Sequence, residues 1–412
     1  MARRPVGRGA PPETGAAAGS TSWAAVAGLM GAGVVAAAQI GGASAALPVL
    51  QDEFGLSSTT AAWYLSTVSA LSAVAGALLG WLGQSLGPAR QVRLGLVVIV
   101  LADVAGALVD SLPGLLAARV GEGVGLVMVI LAAPGLLFTV ATPAHRRLVA
   151  GMWGAYMPVG AGLAALLVPL AIHWVGWPGA SLLDAVVAAC VLGAVVRWVP
   201  ASGPARWPGS LAGLLGALRS PTVLVITGCF GLYAAQYLAV VGLLPASLVA
   251  DEGVSVAAAG LLGAVVFLVN APANLLGAYL LHRGAPLRWV IPTGCAGMAV
   301  TVWGVLDPGL PLGVRVASAV AFSFIAGLVP AALFAGVAVV SAGTGSAGAA
   351  IGLVTQGSGV GQLLGPPLVV AVGTGLGPGA AQSALLVCLA GLVALGAVLL
   401  PRGERIPGTV PP

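Results

Sequence analysis

The sequence predicts an all-α membrane protein, with twelve transmembrane helices arranged as two pseudo-symmetric six-helix bundles. Three observations predict it. Of the 412 residues, 59% are hydrophobic and only 7% charged, and the mean hydropathy is +1.07, far outside the range of soluble chains. The apolar residues gather into twelve long runs separated by Pro, Gly or charge. The second half of the chain repeats features of the first.

A bilayer core takes about 20 apolar residues per helical crossing, and the length allows roughly 34 per pass, enough for a helix and a short loop. Spans 1 to 6 are expected near 23–48, 60–83, 92–110, 114–140, 148–172 and 177–198. Spans 7 to 12 are expected near 221–248, 255–281, 288–306, 312–339, 348–372 and 378–400. The implied domains are a tail 1–22, a bundle 23–200, a linker 201–220 holding Gly203, Pro204, Arg206, Pro208 and Arg219, a bundle 221–400 and a tail 401–412. Arg3 and Arg4 ahead of the first run, with Ala43, Ser44 and Ala45 within it, resemble an export signal. The run is longer than a signal core, so an uncleaved first helix is expected.

The 63 glycines suit close approach of helix backbones in lipid. Cys190, Cys229, Cys295 and Cys388 stand far apart in apolar runs, so neither a disulfide framework nor a metal site is indicated. All sixteen basic residues are arginines, scattered between the runs, which argues against nucleic-acid binding. Basic residues are retained in cytoplasmic loops. With the N-terminus inside, Arg3, Arg4, Arg8, Arg90, Arg93, Arg146, Arg147, Arg197, Arg206, Arg219, Arg283, Arg288, Arg402 and Arg405 are all cytoplasmic. Asp52, Glu53, Asp110, Asp251, Glu252 and Asp307 then fall outside. A multi-pass protein of the inner membrane with both termini cytoplasmic is expected.

The repeat has two parts. Gly80 and Gly87 close span 2, and Gly277 and Gly284 close span 8 at an offset of 197. Arg119, Val120, Pro134, Leu137 and Phe138 return as Arg315, Val316, Pro330, Leu333 and Phe334 at an offset of 196. Duplicated six-helix halves are the architecture of a large class of secondary transporters.

With these residues in hand the chain resembles a bacterial major facilitator superfamily (MFS) transporter from about Trp23 to Leu400. Ala46–Leu50 followed by Phe54, Gly55, Leu56 and Ser57 reads like the family's opening. Gly80 to Arg90 resembles its signature cytoplasmic loop, with Gln84 where the family has Asp and Ser85 where it has Arg, which puts the family's ionic latch in doubt. Arg119, Glu122, Gly123 and Gly125 resemble its arginine–glycine motif. Gly154, Pro158, Gly160, Gly361, Gly365 and Pro366 resemble its glycine–proline packing motif. Gln356–Gly357 and Gly365–Pro366–Pro367 look closest to the cyanate and nitroimidazole-type branch. The resemblance implies a cavity bounded by spans 1, 4, 7 and 10, with spans 3 and 6 at the periphery. It also implies gating at Gly80, Gln84, Gly87, Arg90, Pro158 and Gly284.

Every ionisable group in a span costs about 2.5–3.5 kcal/mol on insertion scales and calls for a reason. Arg119 and Glu122, three residues apart, share a helical face. Together they serve substrate and proton, or Arg119 merely snorkels to the interface. Arg315, its repeat partner, either clamps an anion opposite Arg119 with its planar fork of donors or sits at the outer interface. Asp103 and Asp184 either exchange protons, as suits a carboxyl in an apolar setting, or tie helices together. Gln39, Tyr233, Gln236, Tyr237 and Gln356 are candidate substrate contacts, as are Ser323 and Gln362. Asn270 and Asn274 read as packing glue, and Trp153 and Tyr156 as either cavity lining or packing.

His145, His173 and His282 lie in or beside loops, and no nucleotide loop, metal cluster or nucleophile motif accompanies them, so an enzyme is not expected. The expected function is secondary active transport of a small anion or polar metabolite by alternating access, proton-coupled through Glu122, without cofactor and as a monomer. The alternatives are a proton-driven exporter of hydrophobic drugs and a transporter-like sensor. Aromatics at 5% of the chain and an acid beside an arginine favour the polar solute.

Overall fold

The computed structural model describes residues 20–201, 211–333 and 347–400, which are helical with no strand among them. The two tails, residues 202–210 of the linker, Phe334 and the Gln84 side chain lie outside the described residues. Among those described, eleven helices are long and apolar enough to cross a membrane. One of them, Tyr156–Trp198, has 43 residues. At 1.5 Å per residue it would run about 65 Å, twice the ~30 Å of hydrocarbon. Gly176 divides it at φ 70° and ψ 173°, a conformation open to glycine. Its arms are spans 5 and 6, which makes twelve crossings among the described residues.

Span 1 is Trp23–Phe54, span 3 Pro88–Leu108 and span 4 Leu112–Val140. Span 2 joins Ser58–Thr67 to Ala70–Leu86, and span 5 begins with Arg146–Gly154 ahead of a break at Ala155. Span 7 runs as Pro221–Tyr237, a π-helical turn Leu238–Gly242 and Leu243–Glu252. Span 8 joins Val256–Leu268 to Asn270–His282. Span 9 is Leu287–Leu306, span 10 Leu312–Leu333, span 11 Ala347–Leu376 and span 12 Ala380–Val398.

Spans 1 and 7 outlast their apolar runs, passing through Asp52–Glu53 and Asp251–Glu252. A helix ends where its carbonyls can find water, not where its side chains first turn polar. Both end alike. Gly55 and Gly253 adopt φ 60° and φ 64° as left-handed caps, and Ser57 and Ser255 then cap spans 2 and 8 by accepting from Thr60 and Ala258 N–H. This Gly-x-Ser junction is a third element of the repeat.

Two apolar cores form. One draws on Leu29, Leu47, Leu65, Leu96, Ile99 and Leu137 of spans 1 to 4, the other on Ile226, Leu248, Ile291, Met298 and Phe322 of spans 7 to 10. Leu211–Arg219 of the linker is a short helix whose Leu214 and Ala217 pack with Ala77 of span 2 and Ala349, Ala350 and Leu353 of span 11. The halves meet along spans 2 and 11. A Cβ on Gly80 would stand 2.5 Å from Gly348 O, and one on Gly352 2.5 Å from Gly76 O. The halves are also joined by Ser44 Oγ of span 1, which donates to Gly242 O in the π turn of span 7 at 2.6 Å.

Candidate functional site

Six polar side chains of the first half, Gln39, Tyr64, Asp103, Arg119, Glu122 and Asp184, converge on one cavity. Arg119 of span 4 is buried at 2% exposure. Its Nη1 donates to Gln39 O of span 1 at 2.9 Å and pairs with Glu122 one turn along. The guanidinium lies 5.3 Å from the centre of the Tyr64 ring of span 2, a cation–π contact. Gln39 Nε2 donates to Asp103 Oδ2 of span 3 at 3.3 Å. In the opposite amide orientation its nitrogen reaches Glu122 Oε2 at 3.0 Å and Asp103 Oδ1 at 3.2 Å, which satisfies both carboxylates. Asp184 of span 6 lies against Gly42 of span 1 and lines the same cavity.

Arg119 is therefore turned inward rather than snorkelling. Spans 3 and 6, expected at the periphery, deliver Asp103 and Asp184 to the same place as Arg119 and Glu122. Ser181 explains the approach, because its Oγ donates to Asp103 O at 2.8 Å and ties span 6 to span 3. Tyr64 and Ser181 were not singled out in the sequence; an aromatic or a serine in a span carries no signal until its neighbours are known.

The second half holds a neutral polar cluster. Tyr233 and Tyr237 stack with ring centres 5.9 Å apart, and Tyr237 OH meets Ser323 Oγ at 3.2 Å. Asn270 Nδ2 donates to Ser323 O at 2.8 Å, and Asn274 Nδ2 to Asn270 Oδ1 at 2.6 Å, so both asparagines fasten span 8. Gln236 turns its Nε2 back to Leu232 O on its own helix. Trp153 and Tyr156 stack at 4.3 Å across the break at Ala155, with Trp153 packed over Gly33 of span 1.

Three expected substrate contacts are placed elsewhere. Arg315 pairs with Glu252 at the end of span 7, stands 4.0 Å from Asp251 and donates through Nε to Val305 O at 3.1 Å. It staples the loop ends of spans 7, 9 and 10 and does not meet Arg119, whose cavity is lined by residues of the first half. The five-residue repeat puts both arginines early in their spans, but their partners differ because Glu122 is local and Glu252 comes from another span. Gln356 spends its amide on span 2, where Nε2 donates to Ala73 O at 3.1 Å and Oε1 accepts from Ala77 N at 3.1 Å. Gln362 accepts from Ser69 Oγ at 2.8 Å along the same seam.

Among the gating candidates, Gly80 lies in that seam. Gly87 turns at φ 78° between spans 2 and 3, and Gly284 at φ 89° after span 8. Arg90 is exposed, and Pro158 is buried just past the break at Ala155. Among the described residues no His, Cys, Asp and Glu group could hold a metal ion.

Comparison with known proteins agrees with this architecture. The human organic anion transporter MFSD10 (TETRAN) superposes with a TM-score of 0.73 over 93% of this chain and 100% of that one, at 16% identity, a likeness of fold. The 2-nitroimidazole transporter of Escherichia coli K12 is 31% identical over 260 residues, 59% of this chain and 61% of its own. The arabinose-proton symporter of the same organism is 30% identical over 135 residues, 33% of this chain and 29% of its own. The chain thus spans less than two thirds of the length of either curated relative. The family model described as Major Facilitator Superfamily matches residues 29–246, more than half the chain, and with twelve crossings in two matched halves the chain belongs to the Major Facilitator Superfamily.

Proposed function

We propose that the protein is a secondary transporter of the cytoplasmic membrane, which moves a small polar solute by alternating access and couples it to protons through Glu122. The observation that carries the reading is the buried Arg119–Glu122–Gln39–Asp103 constellation. A chain with only 7% charged residues brings four ionisable groups to one intramembrane cavity, each at a cost of about 2.5–3.5 kcal/mol. A purely structural ion pair in such a place would be expected to have its hydrogen bonds met. Here Arg119 Nε and Nη2 have no partner among the described residues.

Three carboxylates surround one guanidinium that Glu122 already neutralises, which suits exchange of protons and leaves no free cation there to hold a small anion. Arg315, held by Glu252, supplies no second arm for an anion clamp. A neutral polar metabolite fits the Tyr233, Tyr237 and Ser323 cluster of spans 7 and 10. A second reading, a proton-driven exporter of cationic or nitroaromatic compounds, is supported by similarity to the 2-nitroimidazole transporter. The arginine distribution supports cytoplasmic termini, and the chain is read as acting as a monomer.

The test is reconstitution in liposomes with charge and pH recording. The panel is arabinose, 2-nitroimidazole, tetraphenylphosphonium and small carboxylates, applied to wild type, Arg119→Gln and Glu122→Gln. Proton movement triggered by a neutral or cationic probe and lost in Glu122→Gln is expected. Carboxylate-triggered current lost in Arg119→Gln overturns the charge argument, and ligand binding with no movement of any probe favours a sensor.

A further inference from the structure

The cavity beside Arg119 has a volume of about 60 Å³, and all its lining comes from residues 38–184. That is room for a few waters and far below the about 300–1,000 Å³ of small-molecule pockets. It therefore lies inside the first half rather than between the halves, where a solute must pass. Leu50, Leu115 and Trp177 also line it, and they sit close to the loops joining spans 1–2, 3–4 and 5–6. On the arginine distribution those loops face outward.

The titratable and charged groups facing the cavity are Tyr64 on span 2, Asp103 on span 3, Arg119 and Glu122 on span 4 and Asp184 on span 6. Span 1 contributes Gln39 and span 5 only apolar lining. Spans 3 and 6 are tied by Ser181 and by Arg93 Nη2 donating to Val199 O at 2.8 Å, so the half-buried Asp184 carboxylate is not needed for packing. Arg119 offers two buried donors with no partner among the described residues, which water in the cavity would meet. Gln39 bridges Asp103 to Glu122.

We propose that this cavity is a water-holding proton antechamber, in which Asp184 and Asp103 relay protons between the outer loop face and Glu122 by a route separate from the solute pathway. The proposal rests on the proton-coupled reading above. In each step a carboxyl O–H passes its proton to a water, and that water gives one of its own to the next carboxylate. Only O–H bonds break and form, and each donor is left as a carboxylate. Separating the two routes lets the cavity take up or release a proton while the solute site is closed.

The experiment compares wild type, Asp184→Asn, Asp184→Glu, Asp103→Asn and Ser181→Ala. Infrared difference spectra of the reconstituted protein between high and low pH report carboxyl protonation without any solute. A pH-dependent carboxyl band lost in Asp184→Asn, restored in Asp184→Glu and kept in Ser181→Ala is expected. With arabinose and 2-nitroimidazole as probes, Asp184→Asn should slow pH-driven transport roughly a hundredfold, the scale of a lost proton-transfer group. Its solute exchange without a pH gradient should stay at the wild-type rate. An unchanged band overturns the proposal, and so does loss of exchange together with pH-driven transport. If wild type moves neither probe, the coupled-transport reading fails for these solutes, and the infrared arm still decides whether Asp184 binds protons.

Discussion

Gln356 of span 11 clasps Ala77 of span 2: its Oε1 accepts the Ala77 N–H at 3.1 Å while its Nε2 donates to Ala73 O, one turn earlier on the same helix. One side chain thus bonds both ends of a backbone turn in the other half of the molecule. Gln356→Leu is expected to weaken the closed seam by about 1–3 kcal/mol, since its neutral hydrogen bonds to Ala73 O, Val74 O and Ala77 N are lost. Cysteine pairs placed across spans 2 and 11 should then cross-link several-fold more slowly, with helix content unchanged.

The glycines beside that clasp define a stricter contact. Gly80→Val places a side chain against Gly348 O, and overpacking of this kind costs about 1–3 kcal/mol. It is expected to hold the seam open and abolish transport while the protein still inserts. Gly228 and Gly193 face open space, so alanine at either serves as the control and should leave the transport rate unchanged.

Arg119 and Glu122 should behave as one unit. Arg119→Leu or Glu122→Leu alone strands a buried charge, at about 3–5 kcal/mol. The double variant should cost much less than the sum of the two. Thermal unfolding in one detergent measures the cycle, and additive losses would show that the pair is not coupled.

Arg315 is expected to affect stability and not solute affinity. Its partner Glu252 is part exposed, so Arg315→Gln should cost about 1–3 kcal/mol, the scale of a hydrogen bond to a charged group. It should lower Tm and leave the KM of any transported probe unchanged. A raised KM at constant Tm would return Arg315 to the solute pathway.

High salt should leave the Arg119 pair intact, because buried charges are little screened. The Arg315 contact to Asp251, whose side chain is 58% exposed, should weaken. A Tm that falls with salt in wild type but not in Asp251→Asn checks this.

The spans, their duplicated order and the family were legible in the sequence, because a bilayer imposes one-dimensional rules: an apolar length per crossing and backbone bonds met within each helix. So was the Arg119–Glu122 face, since both lie on one helix at a fixed spacing. The gathering of Asp103 and Asp184 around that face was not legible, nor was the capture of Arg315 by Glu252 or the use of Gln356 as a clasp. Each depends on which faces of different helices meet, and in a chain this rich in glycine many faces pack equally well on paper. Only close backbone approaches, such as Gly80 on Gly348, bring those polar groups within hydrogen-bond reach. The sequence by itself determined how many helices cross and where charge enters them; the tertiary structure alone decided which charges share a cavity, because that follows from helix contact and not from spacing along the chain.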